Sequence, residues 1–301
     1  MADKPFKIDG RVMSYIATIL FICVIAVYAV FLMPTHSEMG NEGNVTTEVK
    51  GEAPIAVINV SGGIKISGTE NMLLVRSGES ITFDASNSYD PDGEIVEYEW
   101  SFGDESTESG KTVSHTFYLD QESFSEYGSV TYSVVLRVYD NSLPYGRMGD
   151  DLILVTVVPS KLYFDKGMPK IDAPVEYKEN VKLPIFGSGT VELIYNLSNP
   201  FYMPSSSCNI ALHIEKPRLS IITKISIAYY DTDGNEITLA EIPGSKLFGF
   251  WKEKMITASG VIQDTGGGIA GFKIRINGLS VRGISLIYGG DEPSLIEFAF
   301  T

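Results

Sequence analysis

Residues 78–103, GESITFDASNSYDPDGEIVEYEWSFG, decide how this chain reads. Ile81, Phe83 and Ala85 alternate with Thr82 and Asp84, and Val96, Tyr98, Trp100 and Phe102 alternate with Glu97, Glu99 and Ser101. A period of two sends successive side chains to opposite faces, so each run reads as a half-buried strand. Between the runs, Asp90-Pro91-Asp92-Gly93 is turn chemistry: Pro fixes φ, Asp side chains bond nearby backbone, and Gly accepts a positive φ. Trp100 on the inward face is expected to be the central core residue of a sandwich, worth about 3–5 kcal/mol against truncation to Ala.

Working outward, Tyr132, Val134, Leu136 and Val138 continue the alternation, and DLILVTVV at 151–158 closes the segment, which places a domain boundary at Val157-Val158-Pro159-Ser160. From there to residue 301 short alternating runs recur, among them VELIYNL, CNIALHI, KISIAYY, NEITLAEI, FKIRI, ISLIY and LIEFAF. Turn signals such as Thr232-Asp233-Gly234-Asn235 and Gly289-Gly290 separate them. The expected fold is all-β: a first β-sandwich over 53–159 and a second over 160–301, jelly-roll-like in its spacing.

Upstream, Val12–Met33 is uncharged over 22 residues, enough at about 1.5 Å per residue to cross a hydrocarbon core of roughly 30 Å. Lys4, Lys7 and Arg11 precede it and no Lys or Arg follows before Lys50. The positive-inside bias therefore predicts a cytoplasmic tail (1–11), a transmembrane helix (12–33) and a stalk (34–52) carrying an extracellular ectodomain. A cleaved signal peptide is the rival, but the run is long for one and lacks a clear A-x-A site. A pilin-like processed helix is a third reading, weakened by the order Gly10-Arg11.

The formal charge is −15, and residues 1–11 contribute +1, so the rest carries −16. Such a surface repels phosphate backbones, which argues against nucleic-acid binding. Cys23 lies in the apolar run and Cys208 outside it. No intrachain disulfide is then available to the ectodomain, and Cys208 reads as a buried, inert thiol.

The stretch 78–103 resembles the PKD domain family, an immunoglobulin-like β-sandwich. Ala85-Ser86-Asn87-Ser88, Asp90-Pro91-Asp92-Gly93, Tyr98, Trp100, Phe102-Gly103-Asp104, His115-Thr116-Phe117 and the Val134, Leu136, Val138, Asp140 series carry the resemblance. It covers about 53–159. Two departures stand out: Ser101 replaces the usual Asp before Phe102, and Glu105 replaces the Gly that usually follows Asp104, which bears on the geometry of that turn. The resemblance implies an extracellular module that contacts protein or carbohydrate or acts as a spacer, and it implies no catalytic activity.

Asn87, Asp90 and Asp92 place three oxygen ligands within six residues, with the Ser88 carbonyl as a fourth, a set suited to calcium. Some PKD-like modules bind calcium near this turn; capping without metal is the other reading. Asp231-Thr232-Asp233-Gly234-Asn235-Glu236 opens like a calcium loop, but Ile242 stands where the closing Glu is needed, so a plain hairpin is expected. Gly266–Gly271 satisfies the letter of a dinucleotide fingerprint, yet a strand pattern follows it where a helix is required. His36, His115 and His213 are too scattered for a zinc or nucleophile arrangement, and no catalytic residue is assigned. Asn44, Asn59 and Asn196 begin N-x-Ser/Thr sequons. Tyr89, Tyr98, Tyr127 and Tyr229 are available for stacking against sugars.

The expected function is a membrane-anchored cell-surface binding, adhesion or structural protein that contacts protein or carbohydrate. An accessory subunit of a membrane or surface-filament complex is the alternative, and a carbohydrate-active enzyme a third.

Overall fold

The computed structural model describes residues 51–299 except 67, 68, 70, 143–145, 184, 186–188, 218, 250, 265, 266, 281 and 282. The expected tail, membrane helix and stalk up to Lys50, Asn44 among them, lie outside the described residues. Among the described residues no helix is long and apolar enough to cross a membrane.

The first sandwich holds β1 (Asn59–Ser61), β2 (Ile64–Lys65), β3 (Met72–Arg76), β4 (Ser80–Asp84), β5 (Ile95–Ser101), β6 (Thr107–Ser109), β7 (Thr112–Thr116), β8 (Val130–Asp140) and β9 (Met148–Val158). One sheet runs β1-β4-β7 and the other β2-β3-β9-β8-β5-β6. All ladders are antiparallel except β3–β9, which is parallel. Their inward faces meet on Phe83, Trp100, Phe102 and Phe117, all buried. Phe83 contacts the Trp100 and Phe102 rings at centroid distances of 5.8 and 5.5 Å. The indole N–H of Trp100 donates to the Gly110 carbonyl at 2.8 Å, so the largest core side chain buries no unsatisfied donor.

One expectation fails within β5. Val96 is exposed while Ile95 packs on the core. The ladder explains it: Ile95 pairs with Asp140 and Glu97 with Tyr139, so two steps on β5 oppose one on β8. Val96 is the extra residue of a β-bulge, which turns it outward.

Among the described residues one α-helix, α1 (Gln121–Tyr127), follows β7. The Asp120 side chain caps it by accepting from the Ser123 N–H, and Gly128 ends it at φ 77°. This pairing of an Asp N-cap with a left-handed Gly is what a short helix needs.

The second sandwich contains β10 (Lys161–Tyr163), β11 (Tyr177–Val181), β12 (Gly189–Phe201), β13 (Ser206–Glu215), β14 (Ser220–Asp231), β15 (Glu236–Pro243), β16 (Glu253–Ile262), β17 (Ile269–Ser280), β18 (Ile284–Tyr288) and β19 (Leu295–Ala299), with a 3-10 turn at Gly244–Lys246. One sheet is ordered β12-β17-β14-β15. In the other, β13 is flanked by β16 on one side and by β18 and β19 on the other, with β11 outside β18 and β10 outside β19. From β11 to β18 each strand crosses to the opposite sheet except at the β14–β15 hairpin. Buried Ser294 bridges the break between β18 and β19: its hydroxyl accepts from the His213 N–H at 2.9 Å and donates to the Ile287 carbonyl at 2.8 Å.

The sandwiches meet at one end of each. Phe124 of α1 packs edge-on to Phe201 at 6.2 Å. Asn199 donates to the Ser125 and Glu126 carbonyls at 3.0 and 2.6 Å, and Arg76 to the Phe298 carbonyl at 3.0 Å.

Candidate functional site

The Asp90 turn forms between β4 and β5 as expected, although Gly93 does not adopt the positive φ its residue type allows, and its side chains are occupied with backbone. Ser88 Oγ accepts from the Val57 N–H at 2.9 Å. Asp90 accepts from the Asp92 N–H at 3.3 Å, and both oxygens of Asp92 lie 3.1 Å from the Glu52 N–H. A Cβ at Gly93 would come within 2.5 Å of an Asp90 carboxylate oxygen, so a larger residue there would displace the Asp90 side chain. Among the described residues no group of three or more His, Cys, Asp or Glu side chains forms a metal cage.

The one His–Asp pair that resembles catalytic machinery has the wrong order. His115 Nε2 lies 2.7 Å from Asp104 Oδ2 and the ring stacks on Phe102 at 4.0 Å. Ser106 also bonds Asp104, through both its N–H and its hydroxyl. Hydroxyl and imidazole converge on the carboxylate, so the histidine is no base for that serine. Burial works to raise the Asp104 pKa, but these hydrogen bonds outweigh it and hold the carboxyl below its usual range. Glu105, where the family has Gly, sits at φ 72°: the turn keeps its left-handed geometry without the residue that adopts it freely.

His213 has acceptors at both nitrogens, Glu253 at 2.9 Å and the Glu292 carbonyl at 2.9 Å. Asp231 caps its hairpin by accepting from the Asp233 and Asn235 N–H groups at 3.0 and 2.9 Å, as expected of a plain turn. Gly268 and Gly271 lead into β17, a strand, which removes the helix a dinucleotide site needs. Cys208 is buried and burial pushes its thiol up to about 11. Of the sequons, Asn196 is exposed and its Oδ1 accepts from Tyr230, while Asn59 donates to the Asp84 carbonyl at 3.4 Å. Tyr89 and Tyr127 are exposed, Tyr98 is half-buried and Tyr229 belongs to the core.

Two outward sheet faces of the second sandwich differ in character. On the outward face of β12-β17-β14-β15, Arg275 donates to Glu192 at 2.5 Å and bidentately to Glu236, which Lys273 also reaches at 2.9 Å. Arg275 and then Lys273 hold the Glu236 carboxyl at about 2. These charges satisfy one another. On the outward face of the other sheet a shallow, open trough of about 540 Å³ is lined by Asn209 and Ala211 of β13, Thr257 and Ser259 of β16, Leu295 and Glu297 of β19, and Lys246. It formed because β13 and β16 present small side chains in register, Asn209 opposite Ser259 and Ala211 opposite Thr257. Nothing in the alternating pattern marked it, because one small polar residue looks like another until two strands are paired.

Residues 69–142 match the PKD domain family model, so this part of the chain is a PKD domain. The chain is also similar to halomucin of Haloquadratum walsbyi, 36% identical over 91 residues, and to a microbial collagenase of Vibrio alginolyticus, 38% identical over 95. The match takes in 30% and 32% of this chain but spans only 1% and 9% of those two relatives. Among solved structures, the PKD1 domain of Vibrio anguillarum Epp is 23% identical, with a TM-score of 0.26, over 36% of this chain and 99% of its own. Carbohydrate-binding modules of promiscuous specificity from the β-sandwich superfamily are 17% identical, with a TM-score of 0.29, over 82% and 99%.

Proposed function

We propose that this chain is a membrane-anchored surface protein in which Val12–Met33 spans the bilayer, the PKD domain acts as spacer, and the second sandwich binds an extended polar ligand, a polysaccharide chain, without catalysis. The strand order of the second sandwich is that of a jelly roll, an architecture used by lectins. The trough over β13, β16 and β19 is the observation that carries the reading. Its lining mixes hydroxyl and amide groups (Thr257, Ser259, Asn209) with small or apolar side chains (Ala211, Ala258, Leu295) and offers one carboxylate, Glu297, where glycoside hydrolysis uses two. With no aromatic platform in the lining, binding would be led by hydrogen bonds. Affinity electrophoresis of the full chain through gels containing soluble polysaccharides tests this. Retardation by at least one polymer is expected, and Thr257→Trp, which fills the trough, should abolish it. Failure of every polymer to retard the folded protein, or equal retardation of the variant, sinks the proposal.

A further inference from the structure

Two loops at one end of the second sandwich differ from the rest of the molecule in charge. The segments EKPRLSIITK (215–224) and GSKLFGFWKEK (244–254) together carry a formal charge of +4 in a chain of −15. Buried Lys216 ties the loops to each other. Its ammonium donates to the Gly249 carbonyl at 3.0 Å and the Ser220 carbonyl at 3.3 Å and lies 4.6 Å from the centre of the Trp251 ring. Its own N–H donates to the Lys252 carbonyl at 2.7 Å. Trp251 in turn donates to the Leu247 carbonyl at 3.1 Å, and Leu247 is buried.

On this fastened base three large apolar side chains face water: Phe248 at 83% exposure, Leu219 at 71% and Ile221 at 51%. A loop that buries Leu247 and Trp251 yet leaves Phe248 out holds that ring in solvent by construction. Lys246 and Lys252 stand beside it in the chain, and Lys252, 3.7 Å from Glu215, is 81% exposed. Apolar tips flanked by lysines suit an interface that is hydrocarbon beneath and anionic on top.

The position of the loops is equally specific. The chain enters the first sandwich at Gly51, beside Asp92 and Arg147. The sandwiches join at the other end, through α1 and Phe201 and through the Arg76–Phe298 bond. Phe298 pairs with Cys208 on β13, and the loops follow Glu215, roughly 23 Å further along that strand at about 3.3 Å per residue. They form the end of the second sandwich remote from its junction with the first.

We propose that the Phe248–Leu219 loop end inserts into an anionic lipid bilayer; the proposal rests on the chemistry of the loops and not on the membrane-anchor reading. The full chain in nanodiscs of zwitterionic lipid, mixed with vesicles containing brominated phosphatidylglycerol, provides the test. Incorporation into the disc reads the anchor by itself. Quenching of Trp251 by the vesicles reads the tip, with Trp100, sealed in the first core, as the unquenched reference. We expect binding to phosphatidylglycerol vesicles at least 10-fold stronger than to phosphatidylcholine vesicles. Phe248→Ser with Leu219→Ser should remove quenching. Lys246→Glu with Lys252→Glu should weaken binding by more than about 25-fold, at about fivefold per basic residue. Equal or absent binding to both lipids overturns the proposal. So does loss of vesicle capture in favour of self-association that the same variants abolish, which would make a second copy the occupant. Quenching by vesicles from chains that fail to enter discs would retain the tip and discard the anchor.

Discussion

The two sandwiches treat acidic side chains differently. In the PKD domain they serve the chain's own backbone: Asp84, Asp104 and Asp140 each accept from the N–H and the hydroxyl of the serine two residues on, and Asp120 caps α1. In the second sandwich the prominent acids face cations across strands, as Glu236 faces Arg275 and Lys273, and Glu215 faces Lys178. Local Asp-x-Ser pairs fix turns and depend on adjacent sequence; cross-strand pairs decorate a surface and depend on register. A family signature accumulates where turns are fixed locally, as they are within residues 69–142.

The largest test of this contrast is Trp100→Ala, expected to cost about 3–5 kcal/mol and to remove the PKD transition in urea. The second sandwich should lose far less; an equal loss in both would show that they melt as one body. Acid comes next. Hydrogen bonds from Ser86 and from Ser142 hold Asp84 and Asp140 below the usual carboxylate range. Groups with depressed folded pKa values contribute stability above their unfolded value and lose it as pH falls through the folded one. The PKD midpoint should therefore stay level from pH 7 to about 5 and drop below about pH 4; a rise there would refute the capping account. Glu105→Gly should stabilise the domain by about 1 kcal/mol by relieving a left-handed non-glycine residue, and a destabilised variant would mean the Glu105 side chain has an unseen role. Smallest is Asp90→Asn with Asp92→Asn, which keeps an accepting oxygen at each position. Its calcium-free stability should change by less than about 0.5 kcal/mol. A calcium-dependent rise in the native protein that the variant lacks would add a ligand role to the turn.

Much of this was legible. Period two gave the strands around Phe83, Trp100 and Val134, and Asp-Pro-Asp-Gly gave their turn. Val96 was misjudged because a bulge is a property of pairing, invisible in one strand. Strand β16 escaped notice because Ala258 and Gly260 blunt its alternation, and α1 because seven residues offer barely two turns of periodicity. The trough and the lysine-tied loop end were out of reach for a different reason. Each depends on residues dozens of positions apart, such as Asn209 with Ser259 or Lys216 with Gly249, meeting through the fold.

The parallel pairing of β3 with β9 has a mechanical consequence. Met72 lies opposite Leu154, and Arg76 opposite Val158, so the two strands run the same way and the second hands the chain on to the next sandwich. A pull applied at Met72 against one applied at Val158 would load the pair along its length in opposite directions. Their hydrogen bonds would then bear the load together, in shear, and rupture nearly at once instead of opening one after another like a zip.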